Sequence, residues 1–155
     1  MNPETSLCWH PFQEGLNALR KQELLAGRPA PHWDRVENVA GSGTPDLSFA
    51  WGEGEGHIEL KYRSAPPVGA ETPVVIDSVT AHQRLWWRQR WEAGGNIFVL
   101  LRIAEEYLLL PGRWAALNLG TTTMEGLRYH SRLLVLRAAV SDPKHVAMIL
   151  EASCR

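Results

Sequence analysis

Two carboxylates and a lysine lie close to one glycine-rich turn of the chain. Asp46 begins the alternating segment DLSFAW, and Glu59 and Lys61 lie in a second alternating segment, HIELKYR, beyond the turn GEGEG. Two such segments around a turn predict a β-hairpin, which would bring Asp46 back towards Glu59. Carboxylates held close together repel each other unless a cation joins them. Mg²⁺ is typically bound by one or two carboxylates together with substrate phosphate oxygens, so the spacing indicates a metal site that acts on phosphate.

Strand periodicity divides the second segment into two faces. Ile58, Leu60 and Tyr62 alternate with Glu59 and Lys61, so the two charged residues share a polar face. One interpretation is an ordinary antiparallel strand whose polar side chains are merely solvated. The other is a metal site, in which a bound ion lowers the pKa of a water, the lysine orients or deprotonates that water, and the backbone carbonyl of Leu60 adds a ligand.

These residues resemble the PD-(D/E)XK nuclease superfamily. The matching motifs are Pro45-Asp46 and the triplet Glu59-Leu60-Lys61. The preceding GSGTPD and the following helix TAHQRLWWRQRW, which contains Gln83, are similar to the VRR-NUC branch. That branch includes stand-alone Holliday-junction resolvases and phage nucleases. The resemblance spans roughly residues 11–103.

The resemblance implies a role for each matching residue. Asp46 and Glu59 would bind Mg²⁺, or Mn²⁺ in its place, and Lys61 would assist the nucleophilic water. Gln83 would support the site from the start of its helix. Glu14, in an N-terminal helix, is a candidate additional ligand. Because Glu14 lies off the apolar stripe of that helix, a solvated surface carboxylate is the alternative. Glu37 is a further candidate ligand.

The chain is long enough for one domain, residues 1–155, with a hydrophobic core. Periodicity predicts a helix over 11–26, a short strand over 34–40, and the hairpin, followed by a helix that ends at Gly94. Strands over 96–103 and 106–112 and a short helix follow. Residues 132–140 suit either a strand or a helix, and a last helix begins at Pro143. We expect an α/β fold with a mixed central sheet flanked by helices. The resemblance implies a restriction-endonuclease-like core over about 11–110 and assigns no role to the C-terminal third.

Bulk charge does not favour nucleic-acid binding, because 16 basic and 17 acidic residues give a net charge of −1. Any DNA-binding surface must therefore be a local patch. Arg84 and Arg88 share one side of the Trp-rich helix, and Arg35 and Arg63 are candidates to extend that patch. Helical tryptophans are more often core residues than stacking platforms, so we expect Trp87 and Trp91 to pack inside.

The remaining expectations concern location and function. Two distant cysteines and the lack of a signal-peptide pattern or long apolar run favour a cytoplasmic protein with no membrane partner. The resemblance extends this to a phage or prophage origin. It implies a Mg²⁺-dependent endodeoxyribonuclease that acts on branched DNA as a homodimer. Alternatives are a less selective DNA-nicking or DNA-degrading nuclease, and a non-catalytic DNA-binding or assembly protein on the same fold.

Overall fold

A computed structural model of the chain describes residues 4–36 and 44–154. The sheet contains the strands β1 (His32–Arg35), β2 (Leu47–Trp51), β3 (Gly54–Arg63), β4 (Ile97–Ile103), β5 (Glu106–Pro111) and β6 (Leu133–Leu136). The helices are α1 (His10–Leu25), α2 (Ala81–Glu92), α3 (Gly112–Asn118), α4 (Met124–His130) and α5 (Pro143–Ala152). A π-helical turn, Glu4–Trp9, precedes α1, and a 3-10 turn, Arg137–Ala139, follows β6.

The six strands follow one another across the sheet in chain order. All neighbours are antiparallel except β3 and β4, which are parallel. A parallel pair needs a crossover connection, and the chain from Ser64 to Asn96, which contains α2, provides it. The predicted α/β class with a mixed sheet flanked by helices is therefore confirmed.

The core occupies both faces of the sheet. On one face, apolar residues of α1 and α5 pack against Ile58 and Leu60 of β3. On the other face, Trp87 of α2 packs against Val99 and Leu101 of β4, together with residues of α3 and α4. All seven residues of β4 are buried, as predicted for a strand covered on both faces.

Two parts of the C-terminal third are clarified by the structure. Residues 133–136 form a strand, not a helix, and pair with β5. The helix α4 was not predicted; its seven residues are few for periodicity to reveal, although Thr123 caps it. The predicted helix after Asp142 is confirmed as α5, with the Asp142 side chain accepting a hydrogen bond from the Lys144 N–H.

The Pro-rich connection between β3 and α2 is anchored on the α2 side of the sheet. Val74 and Ile76 are buried in the core there. The Val74 N–H donates to the Thr122 carbonyl at 2.8 Å, and the Val74 carbonyl accepts from Gly120 at 3.1 Å. The connection therefore covers part of the face that carries Glu59.

The predicted strand over 34–40 is only partly described. The observed β1 ends at Arg35, and the candidate ligand Glu37 lies outside the described residues. Within the described ranges, no helix is both long enough and apolar enough to cross a bilayer.

Candidate active site

The hairpin brings Asp46 against the middle of β3. The last paired residues of β2 and β3 are Leu47 and Ile58, and Asp46 precedes them. Its Oδ2 accepts a hydrogen bond from the Leu60 N–H at 2.8 Å. The N–H and the carbonyl of one strand residue point to the same side, so the Leu60 carbonyl faces the edge of β3 on which Asp46 lies. Asp46 and Leu60 are thus brought together as predicted.

Glu59 and Lys61 form an ion pair on the face of β3 that is turned towards α2. Lys61 Nζ lies 2.9 Å from Glu59 Oε1. Of the two interpretations, the one with merely solvated side chains is wrong, because the side chains are only 1% (Glu59) and 3% (Lys61) exposed. Their neighbours in the parallel register, Val99 and Leu101, belong to the core under α2. Burying such a pair costs desolvation free energy, and removing either partner destabilises the protein because the other charge stays buried and uncompensated.

Gln83 connects this pair to the start of α2 through a capping box. The Gln83 N–H donates to Thr80 Oγ1 at 3.2 Å, and Gln83 Oε1 accepts from the Thr80 N–H at 3.0 Å. Since this bond occupies the amide oxygen, the amide nitrogen points away from it and donates to Glu59 Oε1 at 2.7 Å. The cap at the helix start therefore orients a side chain that holds the Glu59 carboxylate.

Thr80 gives a test of this connection. Replacing Thr80 with alanine removes the hydroxyl that accepts from Gln83, so we expect the free energy of unfolding to fall by about 1 kcal/mol. Urea denaturation measures this change. Thr123 caps α4 by the same contact, to Gly126, and Thr123→Ala is the matched control. If the cap also holds Gln83 against the buried Glu59 carboxylate, Thr80→Ala will lower the free energy of unfolding more than Thr123→Ala; equal losses would contradict that role.

The oxygen atoms at this site suit a hard divalent cation. The candidate ligands are the carboxylates of Asp46 and Glu59 and the carbonyl of Leu60, all of which are oxygen donors. No group of three His, Cys, Asp or Glu side chains suited to a metal occurs in the described part of the chain. Mg²⁺ does not need one, because it retains several waters and uses substrate phosphate oxygens. The donor set fits Mg²⁺, or Mn²⁺ in its place.

Glu14 is not brought to this group. It is exposed on α1, and α1 packs on the face of the sheet that carries Ile58 and Leu60. Glu59 lies on the other face, against α2. The structure therefore favours the alternative stated for Glu14, a solvated helix carboxylate.

Two of the four arginines expected to contact DNA hold parts of the protein together. Arg84 donates to the Ala116 carbonyl at 2.9 Å and to the Leu119 carbonyl at 2.8 Å, and so binds the C-terminal end of α3. Arg63 donates to the Ala65 and Val75 carbonyls, both at 2.7 Å. Their guanidinium groups are thus engaged with backbone, which does not favour the predicted phosphate contacts.

The other two arginines differ in position. Arg35 lies with its guanidinium 5.2 Å from the centre of the Trp9 ring, on the α1 side of the sheet, so it does not extend a patch around Lys61. Arg88 is exposed on α2, with its Nε 4.0 Å from Glu92. On the same helix Trp87 is fully buried, as predicted, and Trp91 is half-buried.

The site combines oxygen atoms that could bind a cation with the Lys61 ammonium and with the Gln83 amide, which is held by Thr80 and Glu59. Asp46 and Gln83 are partly exposed, whereas Glu59 and Lys61 are buried. The chain has no significant match to a protein-family model or to a curated protein.

Proposed function

We propose that this protein is a metal-dependent DNA endonuclease that hydrolyses phosphodiester bonds. The observation that carries the proposal is the hydrogen bond from Leu60 to Asp46 at 2.8 Å, made one residue away from the ion pair of Glu59 and Lys61. It places an acid, a carboxylate–lysine pair and a backbone carbonyl around one point of β3. The PD and ExK motifs resemble those of the PD-(D/E)XK superfamily, and the mixed α/β sheet is compatible with a restriction-endonuclease-like core.

Asp46, Glu59 and the Leu60 carbonyl would hold the cation in this proposal. When bound, Mg²⁺ would supply a water of lowered pKa and would stabilise negative charge on the phosphate. The Lys61 ammonium, fixed by Glu59 at 2.9 Å, would orient the attacking water. Gln83 would keep the Glu59 carboxylate in position through its bond of 2.7 Å.

Burial restricts how the substrate reaches this site. Glu59 and Lys61 are almost fully enclosed, whereas Asp46 is half-exposed. A phosphate would therefore approach from the side of Asp46, and the enclosed pair would act in surroundings where electrostatic interactions are strengthened. Preorganised groups of this kind contribute most when they face the charge that develops in the transition state.

Branched DNA is the substrate we propose, because the stand-alone nucleases that the motifs resemble include Holliday-junction resolvases. Symmetric cleavage of a junction needs one active site for each of two strands, so the proposal includes a homodimer. A less selective DNA nuclease is the alternative among enzymes. The burial of the Glu59–Lys61 pair favours a second candidate of another class, a DNA-binding or assembly protein in which the pair is structural.

Cleavage of a matched set of DNAs distinguishes these functions. The purified chain would be incubated with Mg²⁺ and four labelled substrates, namely a four-way junction, a flap, a linear duplex and a single strand. We expect the junction to be cut fastest. Equal rates on junction and linear duplex would contradict the resolvase assignment alone, whereas DNA binding with no cleavage of any substrate would favour the non-catalytic function.

A further inference from the structure

A second polar group lies on the face of β3 that carries Glu59, two residues towards the start of that strand. His57 precedes Glu59 by two residues, so its side chain points to the same face, about 7 Å away along the strand. Its Nε2 lies 3.3 Å from Nη2 of Arg90, which belongs to the last turn of α2. Ser48 is the partner of His57 on β2 and therefore faces the same way.

These residues line a cleft of about 320 Å³ between the hairpin and the end of α2. Its walls include Ser48, His57, Arg90 and Gly95. A Cβ atom at Gly95 would lie 2.6 Å from Nε of Arg90, so the glycine makes room for the guanidinium to reach His57. The Trp86 ring contacts the His57 ring edge to face at 5.6 Å and lies 6.0 Å from the Arg90 guanidinium. The His57 imidazole and the Arg90 guanidinium are thus held side by side in the wall of the cleft.

We infer that His57 and Arg90 form a binding site for a phosphate group, and that this site takes the phosphate adjacent to the scissile one. The second part rests on the proposed nuclease function. A guanidinium, an imidazole and a hydroxyl are donors suited to a phosphate oxygen. The spacing of about 7 Å between alternate residues of β3 is comparable to the separation of neighbouring phosphates on one strand.

Three charged groups surround His57. Arg90 faces it from α2, Glu55 from β3 itself, and Asp34 lies on β1 opposite Ser48. Burial and the Arg90 guanidinium lower the pKa of His57, and Glu55 opposes them. The guanidinium of Arg90 is therefore the positive charge of the site, and His57 and Ser48 would contribute hydrogen bonds to the phosphate.

Inorganic phosphate is the probe for the site itself. Phosphate binding would be measured by NMR at one fixed pH, as the saturable chemical-shift change of the His57 ring, the resonance being assigned with His57→Gln. We expect saturable binding in the wild type and in Arg20→Gln, which removes an exposed charge on α1 in the opposite layer, and binding about tenfold weaker in Arg90→Gln. No saturable binding in the wild type, or equal binding in Arg90→Gln, would overturn the phosphate site, whether or not the protein cleaves DNA.

A modified DNA tests the place of this site along the strand. Replacing a phosphate next to the scissile one with an uncharged methylphosphonate should slow wild-type cleavage about tenfold at one of the two neighbouring positions. Arg90→Gln should slow cleavage of unmodified DNA by about the same factor, and combining the two changes should add no further loss. Additive losses would overturn the assignment to the adjacent phosphate. Absence of wild-type cleavage would instead contradict both the nuclease function and this assignment, and the phosphate titration would still decide whether the anion site exists.

Discussion

Replacing Glu59 with alanine is expected to lower the free energy of unfolding by about 3–5 kcal/mol. The reason is the burial of Lys61, whose side chain is 3% exposed and whose ammonium lies 2.9 Å from the Glu59 carboxylate. Without that carboxylate, a charge would remain in surroundings where its hydration has been lost. Urea or thermal denaturation measures the loss.

A matched surface pair gives the control for this effect. Arg128 and Glu106 are also 2.9 Å apart, but their side chains are 49% and 24% exposed. Because exposed pairs contribute little, Glu106→Ala should cost less than about 1 kcal/mol. If Glu59→Ala were no more destabilising than Glu106→Ala, the pair on β3 would not be desolvated as described.

The double variant Glu59→Met, Lys61→Met separates the structural contribution of the pair from its proposed chemistry. Apolar side chains of similar volume often replace a buried ion pair with little loss of stability or with a gain, so we expect the double variant to recover most of the stability lost in Glu59→Ala. Its DNA cleavage should nevertheless be absent. Cleavage by a stable double variant would contradict the assignment of Glu59 and Lys61 to the active site.

Asp46→Asn is expected to abolish most cleavage while leaving the fold intact. The asparagine carbonyl can still accept the hydrogen bond that Leu60 donates to Asp46, so the hairpin keeps its contact. What is lost is the negative charge that would help to hold the cation. Metal ions supply several kcal/mol of transition-state stabilisation, so cleavage should slow on the order of 10³-fold.

The control for Asp46→Asn is Asp34→Asn. Asp34 is exposed on β1 opposite Ser48, so this variant removes an equal charge from the same sheet face. We expect Asp34→Asn to retain cleavage and both variants to have thermal midpoints close to that of the wild type. Full activity of Asp46→Asn would remove Asp46 from the catalytic group.

Much of this fold could be predicted, because the hydrophobic periodicity and the residue composition of most segments indicate the same secondary structure. The hairpin of β2 and β3 follows from two alternating segments around a glycine-rich turn, and β4 from an apolar run bounded by Gly95 and a turn. The helix α4 was missed, since seven residues give little periodicity. The hairpin and β4 were predictable because local sequence determines them, whereas the local sequence of α4 is too short to reveal it.

The candidate site was predictable in its residue positions but not in its burial. The alternation of side chains along a strand predicted that Glu59 and Lys61 lie on one face of β3. Only the tertiary packing shows that α2 and the segment around Val74 cover that face. The same limit applies to Arg84, whose partners, the carbonyls at the end of α3, lie more than thirty residues away in the chain. Gln83 was identified by its position in a motif, and its bond to Glu59 depends on how α2 lies across the sheet.

We propose that Asp46 and Glu59 hold a divalent cation with which the protein hydrolyses DNA. The most direct test is the initial rate of cleavage of a labelled four-way junction by the wild-type chain, measured against Mg²⁺ concentration. We predict no cleavage in the presence of a chelator and a rate that rises to saturation as Mg²⁺ or Mn²⁺ is added. Cleavage that survives chelation, or no cleavage at any concentration of either ion, would contradict the claim.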